Sequence, residues 1–147
     1  MSFRSLLLIA LVSAAWVAAQ DVVPDDPEVQ MQMHAMFYTA RVACAVENMI
    51  PYGNVLQFNS TGELPDDKDK ATSMCYFNCF FEKSGLMTDY KLNTDLVRKY
   101  VWPATGDSIE ACEAEGKDET NACVRGYAIV KCVVIRALTD ARNKPTV

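Results

Sequence analysis

The chain has 147 residues, half of them hydrophobic, a formal net charge of −5 and a single histidine. A mildly acidic protein of this size lacks the basic footprint of a nucleic-acid binder or of a protein held on anionic lipid, so neither nucleic acid nor membrane insertion is expected of it. One histidine also leaves little from which to build a catalytic triad or a zinc site.

The N-terminus reads as an export signal. Met1-Ser2-Phe3-Arg4 carries one positive charge, the run from Leu6 to Val17 is apolar or small apart from Ser13, and Val17-Ala18-Ala19 offers small residues for cleavage. A bilayer-spanning helix needs about 20 apolar residues, so the run fits a secretory signal peptide over residues 1–19 better than an anchor. The mature protein is then one domain, residues 20–147, destined for extracellular fluid. Losing the leader removes Arg4 alone among the charged residues and moves the net charge from −5 to −6.

Helix signals follow in order. Asp26-Pro27-Glu28 places a capping carboxylate, a proline for the first helical position and an acid at the positive end of the dipole. Met33, Phe37, Ala40 and Cys44 then recur at helical spacing and mark one buried face. Pro51, Gly53 and the polar run Asn59-Ser60-Thr61-Gly62 predict a break, with Asn59-Ser60-Thr61 a glycosylation sequon in a loop. Pro65-Asp66-Asp67 restarts the chain as a helix through Cys75 and Cys79 to Lys83, with Gly85 as its cap. Asn93-Thr94-Asp95 begins a shorter helix that ends before Pro103. Asp107-Ser108-Ile109-Glu110 has capping-box spacing and opens a helix through Cys112 to Gly116. The last helix runs from about Asp118 to Leu138. No segment alternates like a strand, so the fold is all-α with five or six helices.

Six cysteines behind a signal peptide predict three disulfides. They are Cys44, Cys75, Cys79, Cys112, Cys123 and Cys132, with 30, 3, 32, 10 and 8 residues between them. Cys75 and Cys79 share one helix face with parallel Cβ vectors, a poor geometry for bonding each other. Cys123 and Cys132 lie about 180° apart around a helix, which suits an element clamped from both sides. Cys-x₃-Cys is not a zinc-knuckle spacing, so no metal and no cofactor are expected.

Other chemistry reads weakly. Gly106-Asp107-Ser108-Ile109 looks like a lipase nucleophile block, but the one histidine, His34, sits in the first helix and no strand precedes the serine. His34 lies one step off the buried face; it is a surface residue or, alternatively, a pH-sensitive contact. Asp66, Asp67 and Asp69 lack the glycine and spacing of a calcium loop. No enzymatic activity is expected.

The cysteine spacing and the text Met74-Cys75-Tyr76-Phe77-Asn78-Cys79-Phe80-Phe81-Glu82, followed by Gly85-Leu86-Met87, resemble the insect pheromone-binding and general odorant-binding proteins over nearly the whole mature chain. Its third-to-fourth interval is towards the short end for that family. The resemblance implies the pairs Cys44–Cys79, Cys75–Cys123 and Cys112–Cys132, and a compact domain of about six helices around an apolar cavity. It implies a secreted carrier of small hydrophobic molecules such as odorants or pheromones, working in olfaction, with a membrane odorant receptor as a further partner and a monomeric or homodimeric state. The rival readings on the same scaffold are a carrier or scavenger outside chemosensory tissue and a secreted protein-interaction factor.

With that cavity expected, the helix-phase positions become candidate ligand contacts: Met33, Phe37 and Ala40; Phe80; Leu92, Leu96 and Tyr100; and Tyr127, Val130, Val133 and Val134. Tyr100 or Tyr127 supplies a hydroxyl as the polar handle that apolar pockets use. The seven methionines are adaptable packing side chains that suit either a tolerant pocket or a plain core. Val147, at the end of the tail, is either an apolar lid or a frayed terminus.

Overall fold

The computed structural model describes residues 26–144, so the expected leader and Val147 lie outside the described residues. The chain divides into two units, Met1–His34 and Ala35–Val147. The described part of the first unit is Asp26 and the opening turns of α1 (Pro27–Asn48). There the Asp26 carboxylate accepts the Glu28 N–H at 3.0 Å, the capping role its position predicts. Met33 is half-buried and His34 exposed.

The second unit holds the rest of α1, then α2 (Tyr52–Thr61), α3 (Lys70–Lys83), the strands β1 (Met87–Thr88) and β2 (Lys91–Leu92), α4 (Thr94–Tyr100), the 3-10 helix η1 (Glu110–Ala114) and α5 (Ala122–Asn143). It is all-α apart from the small hairpin. None of the described helices is long and apolar enough to cross a membrane.

The segment expected to break after Pro51 is instead the helix α2. Pro51 is extended, at φ −65° and ψ 130°, and flanks the helix rather than interrupting it. Gly53 lies in the first turn with open space around it. The break comes only at Gly62, whose φ of 77° ends the helix while its N–H donates to the Phe58 carbonyl. The sequon at Asn59 therefore sits on the last helical turn, not in a loop.

Four other elements differ from expectation, the first being α3, which opens at Lys70 rather than beside Pro65-Asp66-Asp67. Residues after Asp107 form a 3-10 turn without a side-chain cap; the Asp107 carbonyl accepts the Ala111 N–H at 3.0 Å instead. The last helix starts four residues later than expected, because Asn121 caps it by accepting the Val124 N–H at 3.1 Å, and it runs on to Asn143. The β1–β2 hairpin was not expected at all. Asp89 and Tyr90 both have positive φ, at 49° and 61°, the geometry that turns a tight hairpin, and two-residue strands are too short to show alternation.

α3 and α5 form the principal helix pair. Cys75–Cys123 joins them, Cys44–Cys79 ties α1 to α3, and Cys112–Cys132 ties η1 to α5. These are the three pairs that the resemblance implies, and no cysteine among the described residues is free. Each disulfide typically contributes about 2–4 kcal/mol, comparable together to the net stability of a small domain. The core beneath is Phe58, Phe77, Tyr127, Leu86, Met87, Val97, Trp102, Ile109, Ile129, Val130 and Val133. Asn54 of α2, buried, donates to Ser73 Oγ of α3 at 3.2 Å, a polar contact inside the core that is paired across two helices. The Trp102 indole N–H donates to Asp140 Oδ2, which fastens the segment after α4 to the far end of α5.

Candidate functional site

Helices α1 to α5 of the second unit surround a cavity of about 750 Å³, within the ~300–1,000 Å³ usual for small-molecule sites. Each helix contributes through a short stripe. α1 gives Phe37, Arg41, Val42 and Ala45; α2 gives Tyr52, Val55, Phe58 and Asn59; α3 gives Tyr76, Phe77, Phe80 and Phe81. Tyr100 of α4 and the following Val101 close one side, and α5 adds Val130, Val134, Ala137, Leu138 and Ala141. The α5 positions recur at three- and four-residue steps, so one continuous face of that helix meets the space.

Aromatic rings make up much of the wall. Phe37 meets Tyr100 edge-on at 5.1 Å between centroids and Phe80 at 6.3 Å. Phe58 lies 4.2 Å from Phe77, and Tyr76 stacks parallel to Phe80. Aromatic pairs at such separations add attraction beyond area burial and hold one another in place. The result is a large apolar surface with few ways to collapse into the space.

Polar groups are sparse. Among the described residues Arg41 is the one charged side chain lining the cavity, and it makes no ion pair with another of them. Its guanidinium lies 5.8 Å from the Phe80 ring centroid. Burial pushes the Tyr76 hydroxyl above its ordinary pKa, with nearby Arg41 pulling it down and Tyr52 raising it further. Tyr76 is therefore neutral at physiological pH and available as a hydrogen-bonding group.

Of the twelve residues singled out from sequence, Phe37, Phe80, Tyr100, Val130 and Val134 line the cavity. Ala40 and Val133 are buried but off its wall. Leu92 is buried in the hairpin, where its N–H donates to Glu113 Oε1 at 2.8 Å, and Leu96 is half-buried outside the lining. Tyr127 stands behind the wall, its ring 5.4 Å from Phe58 and 6.4 Å from Phe77. Its hydroxyl meets the Leu64 backbone, and burial together with nearby Glu63 pushes its pKa up to about 12. Met33 belongs to the first unit, and Val147 lies outside the described residues.

The lining residues that sequence reasoning missed include Arg41, Val42 and Ala45 of α1, together with Ile50, Tyr52, Leu86 and Val101, and two further groups. Val55, Phe58 and Asn59 went unseen because their segment was read as a break. Tyr76, Phe77 and Phe81 stand beside the selected Phe80, and Ala137, Leu138 and Ala141 continue the stripe of Val130 and Val134. Their helical spacing is visible in the sequence, but a stripe that lines a void and one that packs solidly look alike there.

Among the described residues no group of three or more His, Cys, Asp or Glu side chains is placed to hold a metal ion. A family profile, that of the PBP/GOBP family, matches residues 27–135, a span that contains all six cysteines. The general odorant-binding protein 84a of Drosophila melanogaster is 75% identical over 123 residues, covering 84% of this chain and 64% of that protein. The pheromone-binding protein Gp-9 of Solenopsis globularia littoralis is 30% identical over 69 residues, covering 42% of this chain and 44% of that protein. The chain thus spans less than two thirds of the length of either relative. No solved structure matches it. With the profile covering most of the helical domain and all three disulfides, the chain belongs to the PBP/GOBP family of pheromone-binding and general odorant-binding proteins.

Proposed function

We propose that this protein is a secreted carrier that takes up small hydrophobic molecules, odorants or pheromones among them, and moves them through extracellular fluid. The observation that carries this reading is the apolar, aromatic-walled cavity of about 750 Å³ between disulfide-tied helices. Apolar transfer is worth about 25 cal/mol per Å² removed from water, so a small lipophile that fills this space gains several kcal/mol without a specific polar contact. The names of the two relatives, which speak of odorant and pheromone binding, support the same class of ligand. The export signal read from residues 1–19 supports secretion.

The test is uptake of the neutral fluorophore N-phenyl-1-naphthylamine by oxidised protein beginning at Gln20, followed by displacement with neutral volatiles. Saturable uptake and competitive displacement are expected; no uptake by correctly bonded protein would mean a filled core and overturn the carrier reading. Contact with a second protein, a receptor or another copy of the chain, is favoured by Tyr38, Val42, Val46, Met49, Tyr52 and Leu56, all large apolar side chains left exposed. Sedimentation of the same preparation across a concentration series reads the self-association arm directly.

A further inference from the structure

From the placement of Arg41 we infer that the preferred ligands are anionic amphiphiles, chains with a terminal carboxylate, whose head pairs with the Arg41 guanidinium while the tail fills the cavity. This deepens the carrier reading and rests on it. Arg41 both lines the cavity and is solvent-exposed, so it stands where the space opens. It has no carboxylate partner among the described residues. Lys83 of α3, by contrast, is paired with Glu47 at 3.1 Å. An arginine that packs on an aromatic face keeps its fork of N–H donors for a planar anion.

Two further donors stand beside it. Tyr76 and Tyr52 belong to the same lining, and Arg41 lies near enough to Tyr76 to act on its hydroxyl electrostatically. The rest of the wall is apolar or neutral, so the one charge marks an end for an oriented ligand. The net charge of −5 does not cancel this local preference, because exposed charges are screened beyond about 8 Å at physiological salt. Lys99, its Nζ 5.5 Å from the Tyr100 ring centroid, is not part of the lining.

The experiment compares dodecanoate with dodecan-1-ol, chains of equal length, as displacers of N-phenyl-1-naphthylamine at neutral pH. Wild-type protein is expected to bind dodecanoate about tenfold more tightly than the alcohol. Arg41→Gln is expected to remove that difference, so that dodecanoate and dodecan-1-ol bind it alike, and Lys99→Gln, outside the lining, is expected to retain the preference. Equal affinities in the wild type, a preference that survives in Arg41→Gln, or a preference lost equally in Lys99→Gln would each overturn the assignment while leaving the carrier reading intact. If neither chain displaces the fluorophore while neutral volatiles do, the assignment falls and the carrier reading stands; if the fluorophore itself is not taken up, both fall.

Discussion

Gly126 of α5 stands directly against the Asn78 carboxamide of α3, and a Cβ on Gly126 would overlap that side chain. Here the absence of a side chain sets how closely the central helix pair approaches, three residues from the Cys75–Cys123 bridge. Asn78 Oδ1 is buried with no hydrogen-bond partner among the described residues, so it has nowhere polar to go if pushed. Gly126→Ala is expected to lower stability by about 1–3 kcal/mol, although alanine favours a helix interior by about 1 kcal/mol over glycine. Adding Asn78→Ala should recover part of the loss. Urea unfolding followed by Trp102 fluorescence measures both; an unchanged midpoint in Gly126→Ala would show that the helices separate freely.

The cavity makes a distinction between two positions that look alike in the sequence. Phe37 lines the space and Leu96 does not. Phe37→Ala is expected to weaken fluorophore binding roughly tenfold, about 1.4 kcal/mol, and Leu96→Ala to leave it within a factor of about two. Titration of both variants, with far-ultraviolet circular dichroism to verify the fold, separates a wall residue from a packing residue. Equal losses would mean that the ligand sits elsewhere.

Tyr127 sets an alkaline limit on stability. Its pKa rises from an ordinary value of 10.0 to about 12, chiefly through burial, so the folded state holds the phenolic proton more tightly than the unfolded chain. The stabilisation is fully present below pH 10 and is lost as pH rises towards 12. Unfolding midpoints measured from pH 9 to about pH 11 should therefore fall more steeply for wild type than for Tyr127→Phe, which has no proton to lose there. Parallel curves would refute a buried neutral phenol at this position.

Asp140 holds Trp102 through the indole N–H, and Trp102 is 4% exposed. Asp140→Ala removes the acceptor and should cost about 1–2 kcal/mol, with Trp102 emission shifted to longer wavelength. Asp140→Asn keeps an acceptor oxygen and should retain much of the difference. Emission maxima and thermal midpoints of the two variants, compared side by side, decide the matter; identical behaviour would mean that packing alone fixes the indole.

Much of the architecture was legible because it depends on local chemistry. Caps at Asp26 and Asn93, the glycine after Lys83 and apolar residues at helical spacing act within a few positions of themselves, and the cysteine intervals carry the family pattern. The reading of Pro51 and Gly53 as a break went astray because both residues are tolerated in a first helical turn; only the packing of Phe58 against Phe77 and the buried Asn54–Ser73 contact show which use was made of them.

By itself, then, the sequence determined the helical class, the disulfide count and the apolar faces, since each follows from residues reading their near neighbours. Tertiary structure alone decided which apolar faces enclose space and which fill it. Tyr127 and Val133 share a helix with Val130 and Val134, yet the first pair is spent in solid packing and only the second meets the cavity. Whether a buried side chain faces a neighbour or a void depends on how helices distant in sequence cross, and no local pattern records that. The same holds for Arg41: its charge is written in the chain, but its place at the opening of an apolar space arises only when α1 is set against α3 by Cys44–Cys79.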